Sequence, residues 1–153
     1  MFKLYSKGCE YTLRLLSELP AEGVCDWFLT GALCELANVP VASTRKMLQK
    51  MVYSGLLEAT RGSGGGYRLS RNPREVSLLD IIVAVDGTDS LHPCIMGLAE
   101  CGGATHCQVH DVWYTTRGHI LDQLKQTTIM DLIIKKSNGR NKIQINGQSN
   151  LCR

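Results

Sequence analysis

The sequence predicts a mainly α fold with one small β-hairpin and a long C-terminal helix. Three observations lead there. Apolar residues recur at spacings of three and four through much of the N-terminal half. In LLEATRGSGGGYRLS, two short alternating runs flank a loop with four glycines in five positions, the pattern of a hairpin with a pliable tip. Beyond residue 108, Val109, Val112, Trp113, Ile120, Leu121 and Leu124 again fall on helical spacing.

Residues 4 to 18 carry Leu4, Tyr11, Leu13, Leu15 and Leu16 on one helical pattern, which Pro20 and Gly23 end. Thr30 is placed to cap a second helix over GALCELANV, stopping before Pro40. Pro40 with Ser43 or Thr44 opens a third. It sets Met47, Leu48, Met51 and Val52 on one side and Arg45, Lys46, Gln49 and Lys50 on the other, and Gly55 stops it. After the hairpin, SLLDIIVAVDG reads as a fourth helix with Ser77 as cap and Asp80 in its first turn. The long helix begins near Gln108, and Thr128 can cap a short turn over IMDLII. The tail from Lys136 to Arg153 is polar and rich in Asn, Gln and Gly, the composition of a disordered segment. Helix, helix, helix and hairpin, with a V-P-V turn before the basic third helix, describe a winged helix-turn-helix. With its linking helix that unit covers residues 2–86; a Gly-, Pro- and His-rich segment fills 87–107, and the long helix with its last turn fills 108–135.

At 153 residues, with 44% apolar and 20% charged residues, the chain is sized for one globular domain with a core of its own. Its apolar runs are far short of the roughly 20 residues that cross a bilayer, and MFKLYSKGCEYTLRLL lacks the apolar core of a signal peptide. The expectation is a cytoplasmic protein with no membrane partner. Thiols are kept reduced there, so seven cysteines, an odd number, need another explanation than a disulfide framework. No nucleophile–base constellation lies outside the cysteine segment, and an enzyme is not expected.

The net charge of +3 is uneven. Residues 41–74 hold Arg45, Lys46, Lys50, Arg61, Arg68, Arg71 and Arg74 against one acid, Glu58, a local +6. One face therefore meets a polyanion. In a helix-turn-helix the second helix of the pair enters the major groove, and its first turns offer Ser43, Thr44, Arg45, Lys46 and Gln49. Arginine pairs bidentately with guanine and glutamine with adenine. At the wing, Gly64, Gly65 and neighbouring Tyr67 let backbone N–H groups approach phosphates; Arg61 suits the minor groove and Arg68 the backbone. A solvated basic helix would show the same charges, and the hairpin beside it tips the reading to duplex DNA. A nucleotide phosphate loop is the rival for GSGGG, but no Lys-Ser/Thr follows and the flanks read as strand–turn–strand.

Residues 91–113, LHPCIMGLAECGGATHCQVHDVW, contain Cys94, Cys101 and Cys107, with His92, His106 and His110, and no lysine or arginine. No C-x-x-C pair is present, and gaps of six and five residues suit ligands spread around a cluster's inorganic core. A Cys₃His zinc site fits the same spacing and stays open, as do three unconnected thiols. His110 follows Cys107 by three residues, which puts both on one face if both are helical. Cys25 and Cys34 read as small buried hydrophobes.

Together, KLYSKGCEYTLRLL, GLLEATRGSGGGYRLSRNP, VSLLDIIVAVDG and the three cysteines followed by HDVW resemble the Rrf-type family of bacterial winged-helix regulators over roughly residues 2–135. The resemblance implies a homodimer joined through the long helix, bound to a palindromic operator. It also implies an iron–sulfur cluster held in the preceding loop by Cys94, Cys101 and Cys107. Members similar to IscR add a histidine three residues after the last cysteine, here His110, around [2Fe–2S]. Members similar to NsrR take a carboxylate from the partner's first helix, here Glu10, around [4Fe–4S]. The [2Fe–2S] form is placed ahead of [4Fe–4S]. The first cysteine gap is one residue longer than either subgroup leads one to expect. Arg45 stands where IscR-like proteins carry a glutamate, and Cys9 beside Glu10 is a further ligand candidate or redox partner. The function implied is a repressor or dual regulator reporting iron, redox or nitric oxide status. The alternatives are a zinc- or thiol-based regulator of the same fold, and an iron–sulfur electron-transfer protein that binds no DNA.

Overall fold

The computed structural model describes residues 4–62, 65–91, 94–97 and 107–140. Helix α1 runs Lys7–Leu16, capped by the Ser6 hydroxyl, which accepts from the Cys9 N–H at 3.1 Å. Its inner face buries Cys9, Thr12, Leu15 and Leu16. Helix α2 (Thr30–Ala37) ends on Asn38, whose φ of 52° lets the chain turn sharply into Val39 and Pro40. Helix α3 is Val41–Tyr53.

Strands β1 (Leu57–Thr60) and β2 (Gly66–Leu69) pair antiparallel, Leu57 opposite Leu69 and Glu58 opposite Arg68. The free edge of β2 is covered by Phe28, whose N–H donates to the Tyr67 carbonyl at 2.8 Å and whose carbonyl accepts from the Tyr67 N–H at 3.0 Å. A side chain at position 66 would run into that Phe28 carbonyl, so glycine is required there. Helix α4 (Leu78–Asp86) carries a full capping box between Ser77 and Asp80. After a short 3₁₀ turn at Asp89–Leu91 come α5 (His110–Gln126) and α6 (Ile129–Arg140).

One core joins both ends of the chain. Leu15 and Leu16 of α1, Leu48 and Met51 of α3, Ile81 and Ile82 of α4, and Ile129 and Ile133 of α6 are all fully buried. Helix α5 packs against that core through Leu121 and Leu124, and Trp113 is its one buried residue.

Four details differ from the sequence reading. Thr30 is not a cap: it is the first residue of α2, buried, behind Leu29, which makes no side-chain cap bond. Thr44 does not open α3 either. Pro40 is its N-cap, and the Thr44 hydroxyl, fully buried, donates to the Pro40 carbonyl at 2.7 Å. Third, α6 runs to Arg140, past the expected start of the tail, because Lys136 reaches back to Ser17 and Glu18 beneath α1. Cys25, read as a small buried hydrophobe, is half-buried at the edge of the core and disulfide-bonded. Residues 141–153 lie outside the described residues.

Candidate functional site

Helices α2 and α3 are set at their turn by Asn38 and by an α1 arginine: Arg14 Nη2 donates to the Ala37 carbonyl at 2.8 Å, satisfying the end of α2. That leaves the first turns of α3 facing outward, with Ser43, Arg45 and Lys46 exposed and Gln49 half-buried. Thr44, expected among the base-reading side chains, points the other way into the core. Lys50 also leaves the outward face, since its Nζ donates to the Val85 carbonyl at 2.6 Å and fastens α3 to the end of α4.

A groove of about 710 Å³ runs between α2, α3 and the hairpin. Arg45 and Gln49 line one wall, Thr60, Arg61 and Tyr67 the other. The structure thus brings together Arg45, Gln49, Arg61, Gly65 and Tyr67 on one concave surface. Gly64 lies outside the described residues. Gly65 has a structural reason to be glycine before any ligand is considered, because a Cβ there would sit 2.6 Å from the Thr60 carbonyl oxygen. Tyr67 is half-buried against Phe28, ring centroids 6.2 Å apart, so its ring braces the wing.

Arg68 lies on the other face of the hairpin. Its Nε and Nη2 both meet Glu58 Oε2 at 2.7 Å, and its guanidinium stacks over the Trp27 ring at 4.8 Å. Sequence reading missed Trp27 altogether. Glu58 was noticed only as the lone acid of a basic segment, although the hairpin alternation already set it opposite Arg68.

The cysteine segment is described at both ends. Cys94 is buried and Cys107 half-buried, and neither is in a disulfide. The His110 N–H donates to the Cys107 carbonyl at 3.0 Å, so Cys107 and His110 share the turn that starts α5, where the His110 ring stacks on Tyr114. Cys101, His92 and His106 lie outside the described residues, and among the described residues no three metal-binding side chains converge. Glu10 is on the surface of α1, 36% exposed, bonded to Lys7 Nζ at 2.8 Å and facing Arg14 at 3.8 Å. Cys9 does not suit the role of ligand or redox partner. It is fully buried, and burial, aided by the Asp86 carboxylate, pushes its thiol up to about 12. Burial likewise raises Cys34.

No described helix is long and apolar enough to cross a membrane. Residues 5–135 match the model of the family described as Rrf2, iron-dependent transcriptional regulator. A helix-turn-helix-type regulator of Neisseria meningitidis is 30% identical over 137 residues, covering 90% of this chain and 91% of its own. The regulator IscR of Vibrio campbellii is 27% identical over 131 residues, 86% of this chain and 77% of that one. Among solved structures, CymR, the global cysteine regulator of B. subtilis, superposes with a TM-score of 0.72 at 23% identity, over 88% of this chain and 98% of its own. T. potens IscR gives 0.64 at 20% identity, over 91% of each. Those two likenesses fix the winged helix-turn-helix fold with its C-terminal helices. The chain belongs to the Rrf2 family and is a DNA-binding transcriptional regulator, not an enzyme.

Proposed function

We propose that this protein senses iron, redox or nitric oxide status through an iron–sulfur cluster, and regulates transcription as a homodimer on a palindromic operator. The observation that carries the reading is where two thiols outside any disulfide sit. Cys94 follows α4 of the DNA-binding unit, and Cys107 stands one turn from His110 at the start of the long helix. These donors fit a thiolate-held group: two sulfurs outside any disulfide, partly shielded from water, and an imidazole, with Cys101 between them in the chain. Cys94, Cys101, Cys107 and His110 would hold it, with Glu10 of a partner chain as the alternative fourth ligand. The group, when bound, supplies a centre that exists in more than one redox or assembly state.

The chain's own residues provide the route to DNA. The end of α4 is tied to α3 by Lys50 to the Val85 carbonyl, and to α1 by the Ser6 N–H and hydroxyl, which donate to Asp86 at 2.6 and 2.5 Å. A change in the segment just beyond Asp86 therefore bears on the α3 that presents Arg45 and Gln49. Regulation follows only if the two states differ in operator affinity. Val112 and Tyr114 stay largely exposed on α5, which supports pairing of that helix with a second copy.

An anaerobic absorption spectrum with iron and acid-labile sulfide counts tests the reading. Iron and sulfide in the wild type, lost or altered in His110→Ala or Glu10→Ala, support the cluster and name its fourth ligand. A colourless, zinc-loaded protein would overturn it in favour of a zinc- or thiol-based regulator of the same fold. The electron-transfer alternative falls with the family assignment.

A further inference from the structure

Phe28 covering the edge of β2 makes the wing three strands wide at one point, and each of its faces then carries a row of side chains. Ala59, Tyr67 and Phe28 form one row, beside the α3 groove. Glu58, Arg68 and Trp27 form the other. In that second row two guanidinium N–H donors converge on a single carboxylate oxygen, both at 2.7 Å, while the guanidinium carbon lies over the indole ring, 4.8 Å from its centroid. All three side chains are exposed: 43% for Arg68, 48% for Glu58 and 43% for Trp27. Glu58 is also the one acid among residues 41–74.

We propose that Glu58 sets the protein's affinity for DNA by holding Arg68 in a gated pair: it neutralises a wing arginine that Trp27 keeps oriented, and a backbone phosphate gains that arginine only by displacing Glu58. The proposal rests on the wing facing DNA and needs no cluster. An exposed ion pair is cheap to exchange, so the pair is a gate and not a lock. Displacement leaves the Glu58 carboxylate beside the phosphates, and that repulsion is the same for every base sequence. The gate therefore weakens binding to arbitrary DNA, while groups reading base edges at Arg45 and Gln49 keep their discrimination. Trp27 matters because a guanidinium held on a ring face keeps its in-plane N–H groups pointing outward for a phosphate.

The test is a double-mutant cycle on purified full-length protein, with a scrambled duplex titrated across a salt series. Glu58→Gln is expected to tighten binding about five- to tenfold at 0.1 M salt and to steepen the log K against log salt slope by about 0.9, the signature of one more phosphate contact. Arg68→Ala alone leaves the Glu58 carboxylate unpaired and weakens binding, and adding Glu58→Gln to Arg68→Ala recovers only that charge, a smaller gain than Glu58→Gln gives when Arg68 is present. Trp27→Leu cuts the Glu58→Gln gain. Equal gains from Glu58→Gln with and without Arg68 would overturn the gate, leaving Glu58 as bulk charge alone. Arg61→Ala separates the two levels: if it leaves affinity unchanged, the wing does not meet DNA and both ideas fail. If it weakens binding while Arg68 shows no coupling to Glu58, only the gate fails. Circular dichroism melting of each variant confirms that folded protein is being compared.

Discussion

Ser77 and Thr128 face each other in an antiparallel bridge, and each caps the helix that follows it with an aspartate three residues on. The Leu78 N–H donates to the Thr127 carbonyl at 2.8 Å and the Ile129 N–H to the Val76 carbonyl at 2.9 Å, so α4 and α6 start side by side. Removing either cap by Ser77→Ala or Thr128→Ala is expected to cost about 1 kcal/mol. The double variant departs from additivity because the two caps share one bridge. Urea denaturation of the four proteins measures both effects, and additive losses would show the bridge to be energetically silent.

Asp131, the Thr128 partner, has its carboxyl held below the usual carboxylate range, first by the Thr128 N–H and then by its hydroxyl. A depressed folded value contributes stability in full above the unfolded value near about 4. That contribution is lost as pH falls through the folded value. The stability gap between wild type and Asp131→Asn is therefore expected to shrink as pH drops from 5 towards 2.5, read as urea midpoints in buffered steps. A gap that stayed constant across that window would remove the ionised cap from the account.

Cys9 and Cys107 should part in native alkylation. A thiol at about 12 is thiolate in only about one molecule in ten thousand at pH 8, and Cys9 is also fully buried. With cluster-free, reduced protein, iodoacetamide followed by peptide mass spectrometry should label half-buried Cys107 first and Cys9 only under denaturant. Fast native labelling of Cys9 would contradict its placement.

On DNA, Arg45→Ala or Gln49→Ala is expected to cost about 1–3 kcal/mol on a selected operator and to relax its sequence preference. Arg61→Ala should weaken all duplexes alike and reduce the salt slope by about 1. Thr44→Ala should lower folding stability with little change in sequence preference, since its hydroxyl serves the Pro40 carbonyl. Fluorescence anisotropy on operator and scrambled duplexes checks the binding of all four, and urea denaturation checks the stability of Thr44→Ala. An unchanged operator affinity for Arg45→Ala would mean that α3 is not the recognition helix.

Where the sequence was legible, local chemistry and periodicity agreed. Ser77 with Asp80, the apolar stripe of α1, and the glycines between two alternating runs each have one cheap local solution, and the structure adopts it. The sequence misleads at Thr30 and Thr44 because a threonine near a helix start either caps it or turns inward: Thr30 is buried as the first residue of α2, and Thr44 bonds the Pro40 carbonyl. The length of α6 was hidden for a similar reason. Polar residues after Ile134 stay helical because Lys136 finds Glu18, whose side chain is nearly buried, from over a hundred residues earlier in the chain. Most of the groove was readable, since Arg45, Gln49 and Arg61 sit on recognisable elements. The row that ends on Trp27 was not, because it depends on Phe28 joining a sheet that begins almost thirty residues later.

The pairing of Val76 with Ile129 also gives α5 a fixed far end. That helix has 17 residues, about 25 Å from end to end. Its last turn is anchored where the chain enters the bridge, Leu121 and Leu124 pack against the core, and Trp113 is buried one turn in from its start. On a rod of that length, seated on the core through Leu121 and Leu124, an ångström of displacement at His110 corresponds to a tilt of about two degrees. In the proposed dimer, two copies joined along that rod would convert such a tilt into a change in the distance between their α3 helices, without any residue of the groove itself having to rearrange.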